Sequence, residues 1–312
     1  MKAITVTDQA AGIAGMRLVE RPMPSPAIND VIVEVHASGF VPTELSWPST
    51  WTDRLDRQRT PSIPGHELAG VVTALGYGTT GLSVGQRVFG LTDWHRDGTL
   101  AEYVAVEARN LAPLPGDVDF AVGASLPISG LTAWQGLFVL GRLQPGQSVL
   151  AHGAAGAVGS MVTQLAREAG AYVIATGRAA DRQRLLEFGA SEFIDLERDR
   201  LEDIGGVDLV FDVIGGGGRQ ALRCPGPGRR HAGLHCRAGR GATAGWARRR
   251  FRRRVRPGAT HRDRAAGARW AAAEQYRQHR IARSGRRCLQ LARAPARQDG
   301  HPRARVRQGG GE

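Results

Sequence analysis

The residues with the clearest chemical meaning are 152–159 (HGAAGAVG), which join a predicted strand to a predicted helix. Their glycines follow G-x-x-G-x-x-G rather than a strict G-x-G-x-x-G, and they lie within a βαβ unit of about 30 residues. Such a turn lets the backbone approach a pyrophosphate, and the helix N-terminus offers free N–H groups. A tight turn without a ligand is the alternative. The predicted dinucleotide-binding residues here are Gly153, Ala154, Ala155, Gly156, Ala157, Val158 and Gly159.

The choice of dinucleotide is read at the end of the next predicted strand. A site for NAD usually places an acidic side chain there, about 20 residues after the glycines, to bind the ribose 2′-hydroxyl. This chain has Thr176, Gly177 and Arg178, followed by Arg182. An arginine binds a 2′-phosphate bidentately, whereas an acid would repel it. The sequence therefore favours NADPH over NADH, and the alternative is that Arg178 is a solvated surface charge.

Two kinds of sequence periodicity predict the strands and helices that carry these residues. Over 121–215, short apolar runs alternate with helical patterns, which predicts βαβ units and a parallel sheet. Over 1–120, short strands are separated by Gly/Pro turns, which predicts a barrel-like β domain. The predicted strands are residues 31–35, 68–75, 87–89, 101–106, 148–152, 172–176, 192–194 and 207–212, and the predicted helices are 158–168 and 181–188. The fold class is thus α/β, with a β-rich domain at 1–120 and a dinucleotide-binding domain at 121–215.

Composition changes abruptly near residue 215. Residues 1–215 carry 16 Lys and Arg against 25 Asp and Glu, whereas residues 216–312 carry 26 Arg, no Lys and 4 acids. The second segment has only eight Val, Ile, Leu, Phe or Met, too little apolar surface to offset the entropy of ordering a chain. We therefore expect residues 216–312 to form a disordered tail.

The bulk features of residues 1–215 point away from membrane and secreted classes. All cysteines (Cys224, Cys236 and Cys288) lie after residue 215, so neither disulfides nor thiolate metal ligands are expected before it. The first residues, MKAITVTDQ, lack the apolar region of a signal peptide. No run approaches the ~18 apolar residues of a membrane helix. A soluble, cytoplasmic protein is expected.

Three interpretations of the Arg-rich segment compete. It could be a basic nucleic-acid arm centred on residues 248–256 (RRRFRRRVR), a disordered linker, or the shifted translation of a GC-rich gene. Back-translation of residues 259–282 with GC-biased codons, less one nucleotide, can read QLIEIAQRVRDGRLRSNIGNIA, an amphipathic helix, a turn and a strand-like segment. The codons are our choice, so this shows compatibility. We favour a frameshift and do not expect nucleic acid as a partner.

Residues 1–215 resemble the medium-chain dehydrogenase/reductase superfamily, specifically its zinc-free quinone oxidoreductase branch. The segments that carry the resemblance occur in the family's order. They are residues 37–44 (ASGFVPTE), 64–70 (PGHELAG), 84–90 (VGQRVFG), 98–104 (GTLAEYV), 126–136 (LPISGLTAWQG) and 152–159. The resemblance implies a GroES-like catalytic domain followed by a Rossmann NADP-binding domain. It also implies cofactor contacts at Thr132, Ile214 and Gly215.

The resemblance bears on zinc as well. Zinc-dependent relatives use a Cys, a His-Glu pair and another Cys or Asp, and this chain keeps His66 and Glu67 but has Val41 at the first Cys position. Residues 126–131 contain no Cys, and the four-Cys structural lobe is missing from 90–114. One imidazole without partner ligands does not make a tetrahedral site, so no metal is expected and His66 is interpreted as structural.

Without zinc, hydride transfer must rely on placing the nicotinamide against an electron-poor carbon. The resemblance therefore implies an NADPH-dependent reductase of quinones or α,β-unsaturated carbonyls, and the alternative is a non-catalytic NADPH-binding or RNA-associated protein. Implied pocket residues are Phe40, Val41 and Trp47. Thr43 and Tyr103 are the candidate catalytic hydroxyls, although a strand tyrosine is more often a packing residue.

The resemblance also shows what the Arg-rich segment replaces. In the family, the chain after the fourth strand of the parallel sheet forms a helix, two more strands and a return to the catalytic domain. We expect the sheet to stop after four strands and to leave an open apolar edge. Relatives often form homodimers through the last strand, which is doubtful here, and this polypeptide is expected to be unstable or inactive.

Overall fold

The structure is a computed structural model, and it describes residues 1–215 and 233–235. The predicted disordered tail lies outside the described residues, apart from Gly233–His235. Of the described residues, the first half forms antiparallel sheets and the second half a parallel sheet. No helix in these parts of the chain has the length and apolar character that a membrane crossing needs.

The N-terminal half is built on antiparallel strands. A two-stranded sheet precedes a five-stranded sheet with the order β6-β3-β4-β5-β7. Alternate residues of β3, β4 and β6 are apolar, so Val31, Val33, Leu68, Val72 and Val104 meet in one core. The strands are β1 (Lys2–Thr5), β2 (Arg17–Glu20), β3 (Asp30–Gly39), β4 (Glu67–Leu75), β5 (Arg87–Leu91), β6 (Tyr103–Glu107) and β7 (Leu111–Pro113).

Short helical segments lie between these strands. Pro42–Ser46 forms a 3-10 helix and leads directly into α1 (Pro48–Trp51), so the segment predicted to line the pocket is helical. Pro42 and Pro48 each occupy a first-turn position, where a proline costs no hydrogen bond. Gly12–Gly15 and Ala108–Asn110 form two further 3-10 helices in this half, and Leu201–Asp203 forms another in the second half of the described chain.

Two helices connect the sheets. In α2 (Phe120–Ser125) the Asp119 carboxylate caps the N-terminus by accepting the Ala121 N–H at 2.7 Å, and this helix packs on β3 and β4. The next helix, α3 (Pro127–Trp134), packs on α4 of the second half and continues as a π-helical segment, Gln135–Leu140. The chain therefore changes from one core to the other between α2 and α3.

The C-terminal half is a parallel sheet with the order β10-β9-β8-β11-β12. Its strands are continuous apolar runs because helices or loops cover both faces of the sheet. Phe211 and Val149, on two of these strands, are buried. The elements are β8 (Ser148–His152), α4 (Ala157–Glu168), β9 (Tyr172–Gly177), a 3-10 turn (Ala179–Asp181), α5 (Arg182–Glu187), β10 (Glu192–Asp195), β11 (Leu209–Asp212) and β12 (Gly233–His235). This sheet confirms the predicted α/β class.

One expectation about the sheet is wrong. We expected it to stop after four strands, but β12 pairs in parallel with β11, Val210 opposite Gly233 and Asp212 opposite His235. Parallel pairing uses backbone groups, so an extended segment can take this position whatever its side chains. The 20 residues between Asp212 and Gly233 exceed the dozen or so that a parallel crossover needs. Sequence composition carried no information on this pairing.

Candidate functional site

The predicted dinucleotide turn lies between β8 and α4, at the carboxyl edge of the parallel sheet, where ligands of such sheets bind. Gly156 and Ala157 are exposed at the first turn of α4, whereas Ala154 and Gly159 are buried beneath them. The first N–H groups of a helix have no partner within it. The turn therefore presents free backbone donors and the positive end of the α4 dipole to an anion.

A buried threonine braces this turn from the neighbouring strand. Thr176 lies at the end of β9 and is fully buried, and its Oγ1 is 3.0 Å from both the Gly153 N–H and His152 Nδ1. Its carbonyl accepts the Ala154 N–H at 3.0 Å. Burial lowers the pKa of His152, with Asp212 acting in the opposite direction. The Thr176 hydroxyl oxygen accepts the Gly153 N–H, and the hydroxyl can donate to His152 Nδ1 in the tautomer that carries its proton on Nε2.

Two glycines of the turn have no space for a side chain. Gly153 has φ +83°, and a Cβ there would lie 2.6 Å from Cγ1 of Ile214. A Cβ on Gly159 would overlap the Gly153 carbonyl oxygen and lie 2.7 Å from Cα of Ala154. These glycines allow the first turn of α4 to touch the end of β8. The tight packing is what a pyrophosphate cradle needs.

Ile214 and Gly215 close the turn from the end of β11. The Asp212 carboxylate accepts both of their backbone N–H groups, at 3.0 and 2.9 Å. Ile214 is 52% exposed and covers Gly153. Of the three residues that the resemblance added, Ile214 therefore lies against Gly153 of the turn, and Gly215 follows it in the chain.

The arginines near the turn differ in their surroundings. Arg178 follows β9 and is exposed, and within the described chain no acid forms an ion pair with it. The guanidinium of Arg182 lies 5.6 Å from the centre of the Phe193 ring. Arg184, which sequence reasoning missed, donates to the Ala155 carbonyl at 3.3 Å and to Asp181 at 2.8 Å. Among the described residues, neither Arg178 nor Arg182 forms an ion pair, and Arg184 ties α5 to the turn.

The predicted substrate segment lies in the other half of the chain. Phe40 packs with the Val6, Leu45 and Trp51 cluster, whereas Val41 and Thr43 are exposed. Trp47 stacks on the His66 ring, with centroids 5.8 Å apart and an interplanar angle of 10°.

Trp94, which sequence reasoning missed, meets both of those rings edge-on, at 5.2 Å from Trp47 and 4.7 Å from His66. It follows β5, so only the tertiary fold brings it to this segment. The three rings form one aromatic group, with Trp47 and Trp94 half-buried over a buried His66.

Beneath these rings is a buried polar cluster. His66 Nδ1 is 3.1 Å from the Thr92 hydroxyl, and His66 Nε2 is 3.7 Å from Glu44 Oε2. Burial raises the pKa of Glu44 to about 7, and the neighbouring Glu67 carboxyl adds to the effect. Burial lowers the pKa of His66 to about 4, and Arg59 adds to this. His66 is therefore uncharged at neutral pH.

Glu67 joins this cluster to the second half of the chain. Its Oε1 accepts the Ile128 N–H, at the start of α3, at 2.7 Å. Burial raises the pKa of Glu67 to about 6. A Cβ on Gly39 would overlap Glu67 Oε2, so a glycine there makes room for the carboxyl group. Because α3 packs on α4, the contact between Glu67 and α3 links β4 to the helix that follows the dinucleotide turn.

The structure does not gather every candidate residue. Thr132 is half-buried on α3, the helix that starts at the Glu67 contact. Tyr103 lies on β6 opposite Glu34, on the face away from the buried Val104. Among the described contacts, none joins Tyr103 to the aromatic group. Its role as a proton donor therefore stays a prediction.

Comparison with known proteins places this arrangement in a family. Residues 27–116 match the model of the alcohol dehydrogenase GroES-like domain, and residues 157–228 match the model of the zinc-binding dehydrogenase domain. A solved alcohol dehydrogenase superfamily protein from Novosphingobium aromaticivorans is 34% identical, with a TM-score of 0.63, over 71% of this chain and 68% of that one. The chain belongs to the medium-chain dehydrogenase/reductase superfamily. The predicted GroES-like and Rossmann-type fold is confirmed.

Other members of the superfamily share the same parts. The quinone oxidoreductase of Rattus norvegicus is 33% identical over 200 residues, which are 62% of this chain and 60% of that protein. The NADPH-dependent alkenal/one oxidoreductase of Arabidopsis thaliana is 38% identical over 50% of this chain and 42% of its own length. The quinone oxidoreductase structure from Coxiella burnetii is 29% identical, with a TM-score of 0.61, covering 69% of each chain. This superfamily member thus spans about 60% or less of these curated relatives.

The zinc that the superfamily name suggests can be tested against the side chains. Within residues 1–215 and 233–235, no group of three or more His, Cys, Asp or Glu side chains is arranged to hold a metal ion. His66 Nε2 faces one carboxylate oxygen, and Val41 supplies no ligand atom. A structural or catalytic zinc needs three or four protein ligands. The described residues do not fit a zinc ion.

Proposed function

We propose that this chain is an NADPH-dependent reductase of quinones or α,β-unsaturated carbonyls that works without zinc. The observation that carries the proposal is the dinucleotide turn, where Gly156 and Ala157 are exposed at the start of α4 and where Gly153 and Gly159 have no space for a side chain. The curated relatives named as quinone and alkenal/one oxidoreductases support the substrate class. The described residues offer no zinc ligand set, which supports chemistry driven by position and proton supply.

In the proposed reaction, the bound dihydronicotinamide supplies a hydride to an electron-poor carbon, and solvent supplies one proton to the resulting anion. The chain's residues do the positioning. The α4 N-terminus would hold the pyrophosphate, and the half-buried rings of Trp47 and Trp94 offer flat apolar surface to a conjugated substrate. Thr43 is exposed on the 3-10 helix that precedes Trp47 and is the hydroxyl proposed to relay the proton.

Preference for NADPH over NADH is the finer part of the proposal. Arg178 is exposed two residues after Thr176, whose carbonyl touches the turn. A charge-assisted bond to a 2′-phosphate contributes about 1.5–3 kcal/mol, or roughly 10- to 100-fold in affinity. We expect Arg178→Ala to weaken NADPH binding at least tenfold and to leave NADH binding within about twofold.

The experiment pairs binding with turnover in the full chain. NADPH and NADH titrations by nucleotide fluorescence use wild type, Arg178→Ala and a matched exposed control, Arg109→Ala, on the 3-10 helix Ala108–Asn110. NADPH oxidation is then followed with 1,4-naphthoquinone and with trans-2-hexenal. Turnover of either substrate supports the reductase. Binding without turnover of either would make this chain a non-catalytic NADPH-binding protein.

A further inference from the structure

Two buried polar atoms face each other beneath Trp47. Glu44 Oε2 and His66 Nε2 lack a hydrogen-bond partner in the described part of the chain, and they are 3.7 Å apart. Glu44 is 0% exposed and His66 1% exposed. Buried polar atoms are nearly always hydrogen-bonded, so two orphaned atoms side by side require an explanation.

The remaining atoms of both side chains already have partners. Glu44 Oε1 accepts the Val41 N–H at 3.0 Å. His66 Nδ1 lies 3.1 Å from the Thr92 hydroxyl. One proton between Oε2 and Nε2 would therefore satisfy both orphans once the two atoms approach from 3.7 Å to hydrogen-bond distance, a movement of about 0.5 Å or more. If Glu44 carries it, the imidazole proton lies on Nδ1 and is donated to Thr92.

The surroundings favour the neutral form of the acid. Burial raises the pKa of Glu44 to about 7, with a contribution from Glu67, and burial lowers the pKa of His66 to about 4. A protonated carboxyl beside a neutral imidazole is thus the form present below about pH 7. The titratable or charged groups of other elements that act on the pair are Glu67, Arg59, Asp93 and His95.

The pair joins two parts of the chain that the proposed reaction needs together. Glu44 belongs to the 3-10 helix Pro42–Ser46, which carries Val41 and Trp47 at its ends. His66 precedes β4, and Trp47 stacks on its ring. A hydrogen bond between the two side chains would fix Trp47 and the exposed Val41 relative to β4.

We propose that the protonated Glu44 carboxyl donates a hydrogen bond to His66 Nε2 and that this bond is the positioning contact for the substrate-side segment at residues 41–47. The pH dependence of kcat/KM rests on the proposed reductase function, whereas the hydrogen bond between Glu44 and His66 does not. When Glu44 loses its proton as pH rises, the donor becomes Nε2–H and a buried negative charge appears beside Glu67. The hydrogen bond persists with its donor reversed, but repulsion between this buried charge and the Glu67 carboxylate loosens the segment, which then holds substrate less well.

The kinetic test is a pH profile. Between pH 6 and pH 8, we expect kcat/KM of the wild type to fall about tenfold, mainly through KM, because about a tenth of an acid stays protonated one unit above its pKa. Glu44→Gln keeps the acceptor and gains an N–H donor, so its profile should stay flat within about twofold. The control Glu67→Gln, at a second buried acid, should keep the fall but move its midpoint to lower pH, because the Glu67 carboxylate no longer raises the pKa of Glu44. A Glu44→Gln profile that still falls as the wild type does would overturn the proposal.

A second measurement needs no turnover and no stable variant of Glu44. Long-range ¹H–¹⁵N spectra of the wild-type chain, assigned with His66→Gln, report which ring nitrogen carries the proton. We expect Nδ1–H below pH 7 and Nε2–H above it. The same tautomer at pH 5.5 and pH 8.5 contradicts the proposal, whether or not the chain reduces any substrate.

A binding measurement shows on which side of the site Glu44 acts. If Glu44→Gln binds NADPH as the wild type does, the effect lies on the substrate side, and a loss of NADPH binding in that variant would refute this.

Discussion

Removing one hydroxyl group tests whether the dinucleotide turn is held as described. Thr176→Val keeps the side-chain shape and removes the oxygen that lies 3.0 Å from both the Gly153 N–H and His152 Nδ1. The backbone bond between Ala154 and residue 176 remains, because it uses the carbonyl. The substitution therefore isolates one side-chain contact at a fully buried position.

The magnitude follows from the two atoms left without partners. An unsatisfied buried donor or acceptor costs about 1–3 kcal/mol, so the free energy of unfolding should fall by about 2–4 kcal/mol. The Gly153 N–H would then be free to turn away from its present position. If the substitution destabilises the NADPH-bound form by about 1.4 kcal/mol more than the free form, the Kd for NADPH rises about tenfold.

The assay compares urea unfolding and NADPH fluorescence in Thr176→Val and Thr163→Val. Thr163 is also fully buried, but its hydroxyl donates to the Gly159 carbonyl within α4 at 3.0 Å. That carbonyl keeps its helical partner when the hydroxyl is removed, so the control should lose less than about 1 kcal/mol and bind NADPH as the wild type does. Equal stability and equal NADPH affinity in the two variants would refute the described role of Thr176.

Three further substitutions test other parts of the structure. Gly159→Ala should weaken NADPH binding more than tenfold, because its Cβ would overlap backbone atoms of the turn, whereas the exposed control Gly205→Ala meets nothing within 4 Å and should bind within about twofold, both measured by fluorescence titration. Because burial raises the pKa of Glu67 to about 6, this group stabilises the fold fully below about pH 4.5 and loses that contribution, about 2 kcal/mol, as pH rises through 6. In urea unfolding at pH 4.5–7.5, Glu67→Gln should remove that part of the pH slope. Asp30→Asn should cost about 3 kcal/mol in the same assay at pH 7, because the buried Asp30 carboxylate pairs with Arg96 at 2.6 Å; a loss below 1 kcal/mol would show that the pair is dispensable.

The parallel sheet could be predicted from the sequence because its elements have strong periodicity. The prediction of strand 148–152 matches β8, and the predicted helix at 158–168 differs from α4 by a single residue at its start. These segments are long apolar runs or amphipathic repeats, which local physics determines. The short β1, β2 and β7 were not predicted, since three or four residues carry too little pattern.

The substrate side of the site could be predicted only in part. Residues 40–47 are predicted from the family pattern, but the sequence gives no indication that Glu44 is fully buried or that it faces His66. An acid between Thr43 and Leu45 has the pattern of a solvated charge, and only long-range packing removes it from water. The contacts of Trp94 and Arg184 likewise depend on segments distant in sequence.

The fifth strand bears on the hypothesis of a shifted reading frame. Phe211 of β11 is buried, and β12 pairs with this strand through backbone groups that any sequence supplies. A sheet position occupied by Gly233–His235 is therefore compatible with a shifted frame as well as with a native one. DNA sequence across codons 212–220, with the intact mass of the expressed chain, separates the two cases. If the Arg-rich segment is genuine, NADPH binding must be supported by the dinucleotide turn of this chain as it stands. If one base restores the family's continuation, the restored chain should gain stability in urea over the present one.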